Sequence, residues 1–197
     1  MKFLRKLIIT IVLAVAVYLA GVYILNPVTI SGHSMDPTLK DQDTVLMIKP
    51  GKIKRFDVVI STELDNNIQS KDIVKRVIGL PGDIVAYDHD KLTINGKVYN
   101  EPYLENYKNQ FAKDKLQSSY AYSSEFQNKA EASPAFTVDS SNNPTFEVTV
   151  PDGQYYLLGD NRLVSQDSRQ VGTFLRSDLL GRAKLRIAPI KEFKIIK

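Results

Sequence analysis

The chain has 197 residues, 43% of them hydrophobic and 24% charged, with a formal net charge of +4 and no cysteine. That is length enough for one core and an appendage. The lack of cysteine excludes disulfides and thiol catalysis. A net charge of +4 with no dense Lys/Arg stripe and interleaved aromatics gives no ground for a nucleic-acid partner.

Met1-Lys2-Phe3-Leu4-Arg5-Lys6 is a basic stub, and Leu7 to Leu25 follows it without a charge. A run of roughly 20 apolar residues is what a bilayer-crossing helix requires. The basic flank predicts a cytoplasmic stub at 1–6 and an extracytoplasmic remainder after the span at 7–25. A cleaved signal peptide would have an apolar core of about 7–15 residues with small residues following it. Ala14, Ala16 and Ala20 lie inside the run instead. The expectation is an uncleaved, single-pass anchor in the cell membrane, with residues 26–197 outside.

Asn26-Pro27 should end the helix, because the residue before a proline is pushed out of the α region. Val28-Thr29-Ile30 then alternates like a strand and delivers the turn Ser31-Gly32-His33-Ser34-Met35-Asp36-Pro37-Thr38 close to the membrane surface. Strands are expected at Thr44–Lys49, Val58–Ser61, Ile73–Leu80 and Ile84–Tyr87, separated by Gly, Pro and Asn turns. Asn95-Gly96 between Lys91 and Tyr99 predicts a hairpin with a type I′ turn. From about residue 101 to 143 the composition shifts to Lys, Asn, Gln, Ser and Tyr. This reads as an insertion, with a short helix over Tyr103–Lys115 and lightly packed chain over Gln117–Asn143, a surface excursion without chemistry of its own. Phe146–Val150, Gln154–Leu158 and Arg182–Ile187 return to strand, and Ser177-Asp178 caps a brief helical turn. The fold class is mainly β, an antiparallel β-sheet domain behind an N-terminal helix.

Two cations stand side by side on the Ile73–Leu80 strand. Alternation puts Lys75 with Ile73 and Val77 on one face, and Arg76 with Val74, Ile78 and Leu80 on the other. Both faces are otherwise apolar, so each buried cation needs a reason. Arginine stays protonated and wants a carboxylate. Lysine loses its proton when desolvated and becomes a neutral amine base. In the polar loop Gly159-Asp160-Asn161-Arg162-Leu163-Val164-Ser165-Gln166-Asp167-Ser168-Arg169, Asp160 and Asp167 are natural partners for Arg76 and Arg169.

Without cysteine, the nucleophile is a serine, threonine, lysine or carboxylate. The chain has two histidines, His33 and His89. The first adjoins Ser34 in poor geometry for a side-chain bond to it, and the second sits in the solvated turn Asp88-His89-Asp90. With no clustered ligands, a zinc site is not expected. Elimination leaves a Ser–Lys pair, with Ser34 as nucleophile and Lys75 the best-placed lysine.

The chain resembles the bacterial type I signal peptidases, in particular their single-anchor Gram-positive form. The blocks that carry the resemblance are the anchor, Ser31–Leu39, Arg55–Val59, Asp72–Asp83 and Gly159–Arg169. The resemblance implies that Ser34 is the nucleophile, Lys75 the general base and Ser165 the hydroxyl that orients the lysine. Arg76, Asp160, Asp167 and Arg169 would pin the loop, and the Ser34 N–H would donate to the oxyanion. Gly32 stands where some relatives carry a second, hydroxyl donor, and Leu163-Val164 stand where Asp-Asn is frequent. The implied substrates are signal peptides of exported preproteins, with small residues such as Ala at the first and third positions before the cut. The implied partners are the lipid bilayer and, transiently, the export machinery. No cofactor and no metal are implied. Ala130-Glu131-Ala132 has small residues at the same spacing, which raises self-cleavage as an expectation to test. Two other readings are a non-catalytic signal-peptidase-like factor in pilus or secretion assembly, and a self-cleaving Ser–Lys repressor. The second lacks a reason for an apolar N-terminal run.

Overall fold

Burial of every second side chain decides where this chain becomes strand. In Ile84–Asp88 the inward residues are Val85 and Tyr87, and in Lys91–Ile94 they are Leu92 and Ile94. The computed structural model describes residues 2–49, 51–65 and 69–196. It begins with α1 (Lys2–Ile24), which runs through the basic stub and stops two residues before the expected Asn26-Pro27 boundary. Strand β1 (Leu25–Thr29) follows at once and includes Pro27. The proline is tolerated because β1 is the edge of its sheet, where a missing N–H costs no ladder bond. On α1, Leu7, Ile8, Ile9, Ile11, Val12, Leu13 and Val15 are exposed to solvent. Among the described residues, no helix is long and apolar enough to cross a membrane.

The remaining strands are β2 (Thr44–Ile48), β3 (Val58–Asp65), β4 (Gln69–Gly79), β5 (Ile84–Asp88), β6 (Lys91–Ile94), β7 (Lys97–Tyr99), β8 (Thr145–Thr149), β9 (Gln154–Leu158), β10 (Phe174–Leu175), β11 (Leu179–Ala188) and β12 (Lys194–Ile195). Among the described residues they form two antiparallel sheets. One is eight-stranded, in the order β1-β2-β11-β3-β4-β9-β10 with β12 on β11; the other is four-stranded, in the order β7-β6-β5-β8. The expected Asn-Gly hairpin joins β6 to β7, with Asn95 at φ 51° and Gly96 at φ 77°, as a type I′ turn demands. The sheets meet at Gly79, where a Cβ would come within 2.6 Å of Val150 Cγ2 and 2.9 Å of Val85 Cγ2. Only glycine lets them approach so closely.

Strand β4 lies in the middle of the large sheet, between β3 and β9, and feeds apolar clusters on both faces. Ile73 and Val77 pack with Val59, Leu157, Phe174 and Leu179. Val74 packs with Met35, Leu39, Val45 and Met47, while Ile78 joins Tyr87, Leu92 and Tyr156 between the sheets.

The segment after Glu101 corrects one expectation. A 3-10 turn (Pro102–Leu104), α2 (Glu105–Asp114) and α3 (Ser124–Ala132) make a helical unit with its own core. Gln117–Asn143, expected to be lightly packed, buries Tyr120 and Phe136 completely and closes on Leu104 and Leu116. The pattern was illegible because the left-handed Lys115 (φ 54°) ends α2 and breaks any helical period between the aromatics. Ala130-Glu131-Ala132 lies in α3 with Ala130 buried. A helical segment does not offer a protease the extended backbone that cleavage needs.

Candidate active site

Apolar anchoring and backbone bonds hold the Ser34 turn from both sides. Met35 and Leu39 are fully buried in the core of the large sheet, and Leu39 N–H donates to Met35 O at 3.0 Å. Ahead of Ser34, Ile30 N–H donates to Asp43 O at 2.7 Å, and Gly32 adopts φ 85°, a conformation that favours glycine. The Gly32 N–H donates to Asp41 Oδ1 at 2.7 Å, so this backbone group is committed elsewhere. Ser34, between these anchors, is half-buried.

A cavity of about 270 Å³ opens beside the turn. Ser34 and Lys75 both line it, together with Ile30, Ile73, Val74, Phe126 and Val164. Lys75 is 3% exposed. Burial pushes its pKa below the ordinary lysine value, against the opposing charges of Asp167 and Glu63. Arg76, one residue on, faces a different cavity of about 970 Å³ with Phe56, Pro102 and Tyr103. The alternation expected of the strand therefore separates the two cations in space. Ser165 is buried, and its hydroxyl flanks Gly159. Among the described residues, no hydrogen bond joins the side chains of Ser34, Lys75 and Ser165, and the Ser165 hydroxyl lies 3.5 Å from Gln166 O. His33 Nδ1 is bonded to Asp36 Oδ2 at 3.0 Å and its ring rests on Tyr122, with centroids 4.7 Å apart. His89 is exposed beside Asp88.

Buried ion pairs hold the polar loop. Arg76 and Asp160 form a bidentate pair, Nε–Oδ1 2.8 Å and Nη2–Oδ2 2.7 Å, with both side chains fully buried. The Tyr103 ring lies 3.8 Å from the Arg76 guanidinium carbon. Arg169 grips Asp167 in the same manner, Nε–Oδ1 2.8 Å and Nη2–Oδ2 2.8 Å. Burial alone would raise the Asp167 pKa; Arg169 and the Gly159 N–H outweigh it and hold the carboxyl below the ordinary range. Asp167 also caps α4 (Ser168–Val171).

Sequence reasoning missed three contributors. Glu101 pairs with Arg162 and accepts from Tyr87 at 3.0 Å and from Tyr103 at 2.8 Å. Arg162 in turn donates to Gly159 O at 3.0 Å. A buried Arg in the loop was a signal that a further carboxylate was needed, but not where it lay. Asn161 donates through its backbone N–H to Ser34 O and through Nδ2 to His33 O, both at 3.0 Å. Gly159 is the third. A Cβ there would meet Ser165 Oγ at 2.1 Å and Ser34 O at 2.5 Å. Gly159→Ala is expected to destabilise the fold by about 1–3 kcal/mol through overpacking. The groups displaced are Ser34 and Ser165, so any activity that depends on them should fall more steeply than stability. Parallel denaturant melts and cleavage rates check this.

A serine on a braced turn and a desolvated lysine in one cavity define a site where hydroxyl-to-amine proton transfer can replace the imidazole of serine hydrolases. The family model described as "Signal peptidase, peptidase S26" matches residues 3–188. Signal peptidase I of Streptococcus pneumoniae serotype 4 is 49% identical over 179 residues, covering 87% of this chain and 86% of that one. Signal peptidase IB of Staphylococcus aureus strain Mu50 is 38% identical over 198 residues, covering 98% and 94%. Among solved structures, a signal peptidase I from Enterococcus faecalis V583 is 28% identical, with a TM-score of 0.46 over 69% of this chain and 100% of that chain.

The chain belongs to the signal peptidase family, peptidase S26. Its activity is that of a signal peptidase I, a serine endopeptidase that removes signal peptides.

Proposed function

We propose that Ser34 is the nucleophile of this peptidase and Lys75 its general base. The observation that carries the reading is their meeting in one cavity, with the lysine buried and its pKa lowered. Lys75 Nζ, neutral, takes the proton of Ser34 Oγ as the oxygen attacks the scissile carbonyl carbon. The tetrahedral intermediate collapses, the C–N bond breaks, and the lysine ammonium returns that proton to the leaving amine. The signal peptide is then esterified to Ser34. Lys75 next deprotonates a water, whose oxygen attacks the ester carbonyl; the ester bond breaks and the proton returns to Ser34 Oγ. Ser165 positions the lysine, and the Ser34 N–H donates to the oxyanion. Arg76, Asp160, Asp167 and Arg169 brace the loop that carries Ser165. Ile30, Ile73 and Val74 give the cavity apolar walls, which suit a small side chain such as alanine.

The run Leu7–Leu25 is read as a single bilayer span with the basic stub in the cytoplasm. The exposed apolar side chains of α1 support it, since a helix apolar all round needs lipid or protein about it. The substrate then arrives along the membrane, with the export machinery as a transient partner. Processing of a preprotein by the full chain and by Ser34→Ala tests the nucleophile. With Lys75 as base, kcat/KM rises with pH through a pKa below 10.5, the fraction of neutral amine setting the rate. A profile that is flat from neutral to alkaline pH removes Lys75 from that role.

A further inference from the structure

We infer that Asn161, itself held by Tyr120 of the inserted segment, aims the Ser34 N–H at the oxyanion; this rests on Ser34 being the nucleophile. The His33 carbonyl and the Ser34 N–H belong to one planar peptide unit, which is trans, so they point in opposite directions. Whatever grips the oxygen therefore sets the direction of the hydrogen. Asn161 Nδ2 donates to His33 O at 3.0 Å, where the turn's own bond from Asp36 N–H is longer, at 3.3 Å. The Asn161 backbone N–H holds Ser34 O at 3.0 Å, so the peptide units on both sides of Ser34 are tied to one residue. A donor bonded to the carbonyl also polarises the amide and strengthens its N–H.

The asparagine is oriented by the inserted segment. Tyr120 OH donates to Asn161 Oδ1, and Tyr120 and Asn161 are both fully buried. The His33 carbonyl, which can only accept, fixes which end of the amide faces it, and the Tyr120 hydroxyl holds the other end in place. The Asn161 carbonyl also accepts the Ser165 N–H at 3.0 Å, so the same residue braces the other hydroxyl of the site. Tyr120 belongs to the apolar core that Leu163 and Val164 cover from the polar loop. The inserted segment is thus a buttress for the oxyanion donor, and Asn161 and Tyr120 are positioning residues.

The test is the full-length chain carrying Tyr120→Phe, which deletes one hydroxyl and keeps the ring packed. Its kcat for a preprotein, its KM, and its affinity for a peptide aldehyde ending in alanine are measured. The aldehyde adds to Ser34 as a hemiacetal whose oxygen occupies the oxyanion position. An oxyanion donor is worth about 10²–10³ in kcat, so a misaimed one should cost Tyr120→Phe about tenfold and Asn161→Ala about a hundredfold. KM should stay within about twofold and aldehyde affinity should fall by the same factor as kcat, since the donor acts on the tetrahedral state. Wild-type kcat in folded Tyr120→Phe, or a loss confined to KM, overturns the inference. Should Tyr120→Phe melt below the assay temperature, Asn161→Ala is read by the same criteria. Ser34→Ala is run alongside. If it is inactive while Tyr120→Phe and Asn161→Ala keep wild-type kcat, the buttress alone fails. If Ser34→Ala still cleaves, the nucleophile assignment and the buttress fall together.

Discussion

Lys75→Met is expected to leave a folded protein whose kcat has dropped about 10⁴-fold or more, the scale of losing one member of a catalytic unit. The thioether is close to the lysine stem in length and apolarity, and the side chain is only 3% exposed, so packing survives. The fold should even gain. In the unfolded chain a lysine keeps its proton up to about pH 10.4. In the folded protein burial releases it at lower pH. The unfolded state therefore binds more protons in that window, and the native lysine destabilises the fold most at pH values below its folded pKa. The cost fades as pH rises toward the unfolded value. Urea melts at several pH values should show Lys75→Met gaining most in the acid half and least near pH 10. His33→Asn is the control, since His33 and Asp36 form the other proton-accepting pair near Ser34. Activity retained in His33→Asn and lost in Lys75→Met assigns the base to Lys75; the opposite result assigns it to the imidazole.

Glu101→Ala is expected to be the most damaging substitution for stability, at about 3–5 kcal/mol, because it strands a buried charge. Arg162 and Glu101 are respectively fully and 99% buried as side chains, and the carboxylate accepts from Tyr87 and Tyr103 as well as from the guanidinium. Burial would raise the Glu101 pKa, but Arg162 and Lys108 outweigh it and hold the carboxyl below its ordinary value. Its contribution is thus present above the unfolded carboxylate pKa and disappears as pH falls through the lower, folded one. The urea midpoint of Glu101→Ala should lie well below wild type at neutral pH and approach it in acid. Cleavage should weaken too, since Arg162 holds the carbonyl of Gly159, the residue whose Cα packs against Ser34 O and the Ser165 hydroxyl.

The β framework was legible because its signals are local. Alternation and turn residues placed β2, β4, β5, the Asn-Gly hairpin and β9 close to where they lie. Alternation also told Lys75 from Arg76. What escaped depends on residues far apart in the chain. Glu101 and Arg162 are 61 positions apart, and Tyr120 and Asn161 are 41 apart. Nothing in either neighbourhood names the other. The aromatic core of the inserted segment was hidden for a related reason: Tyr107, Phe111, Tyr120 and Phe136 sit among polar residues and gather only when two short helices fold back on the loop. Ser34 itself lay in a stretch that read as an ordinary turn, and elimination of histidine and cysteine was what drew attention to it.

The register between β3 and β4 has a consequence for fidelity. Eight consecutive pairs, from Val58↔Arg76 to Asp65↔Gln69, fix which of two adjacent cations faces Ser34. Displacing β4 by one position turns every side chain to the other face of the sheet. Displaced one way, a guanidinium that never gives up its proton would stand where the proposed base stands; displaced the other way, Val74 would stand there and an amine would face Asp160. A strand displaced by a single residue would be inert as well as unstable. In this molecule, each turnover is a report that the sheet has zipped in phase.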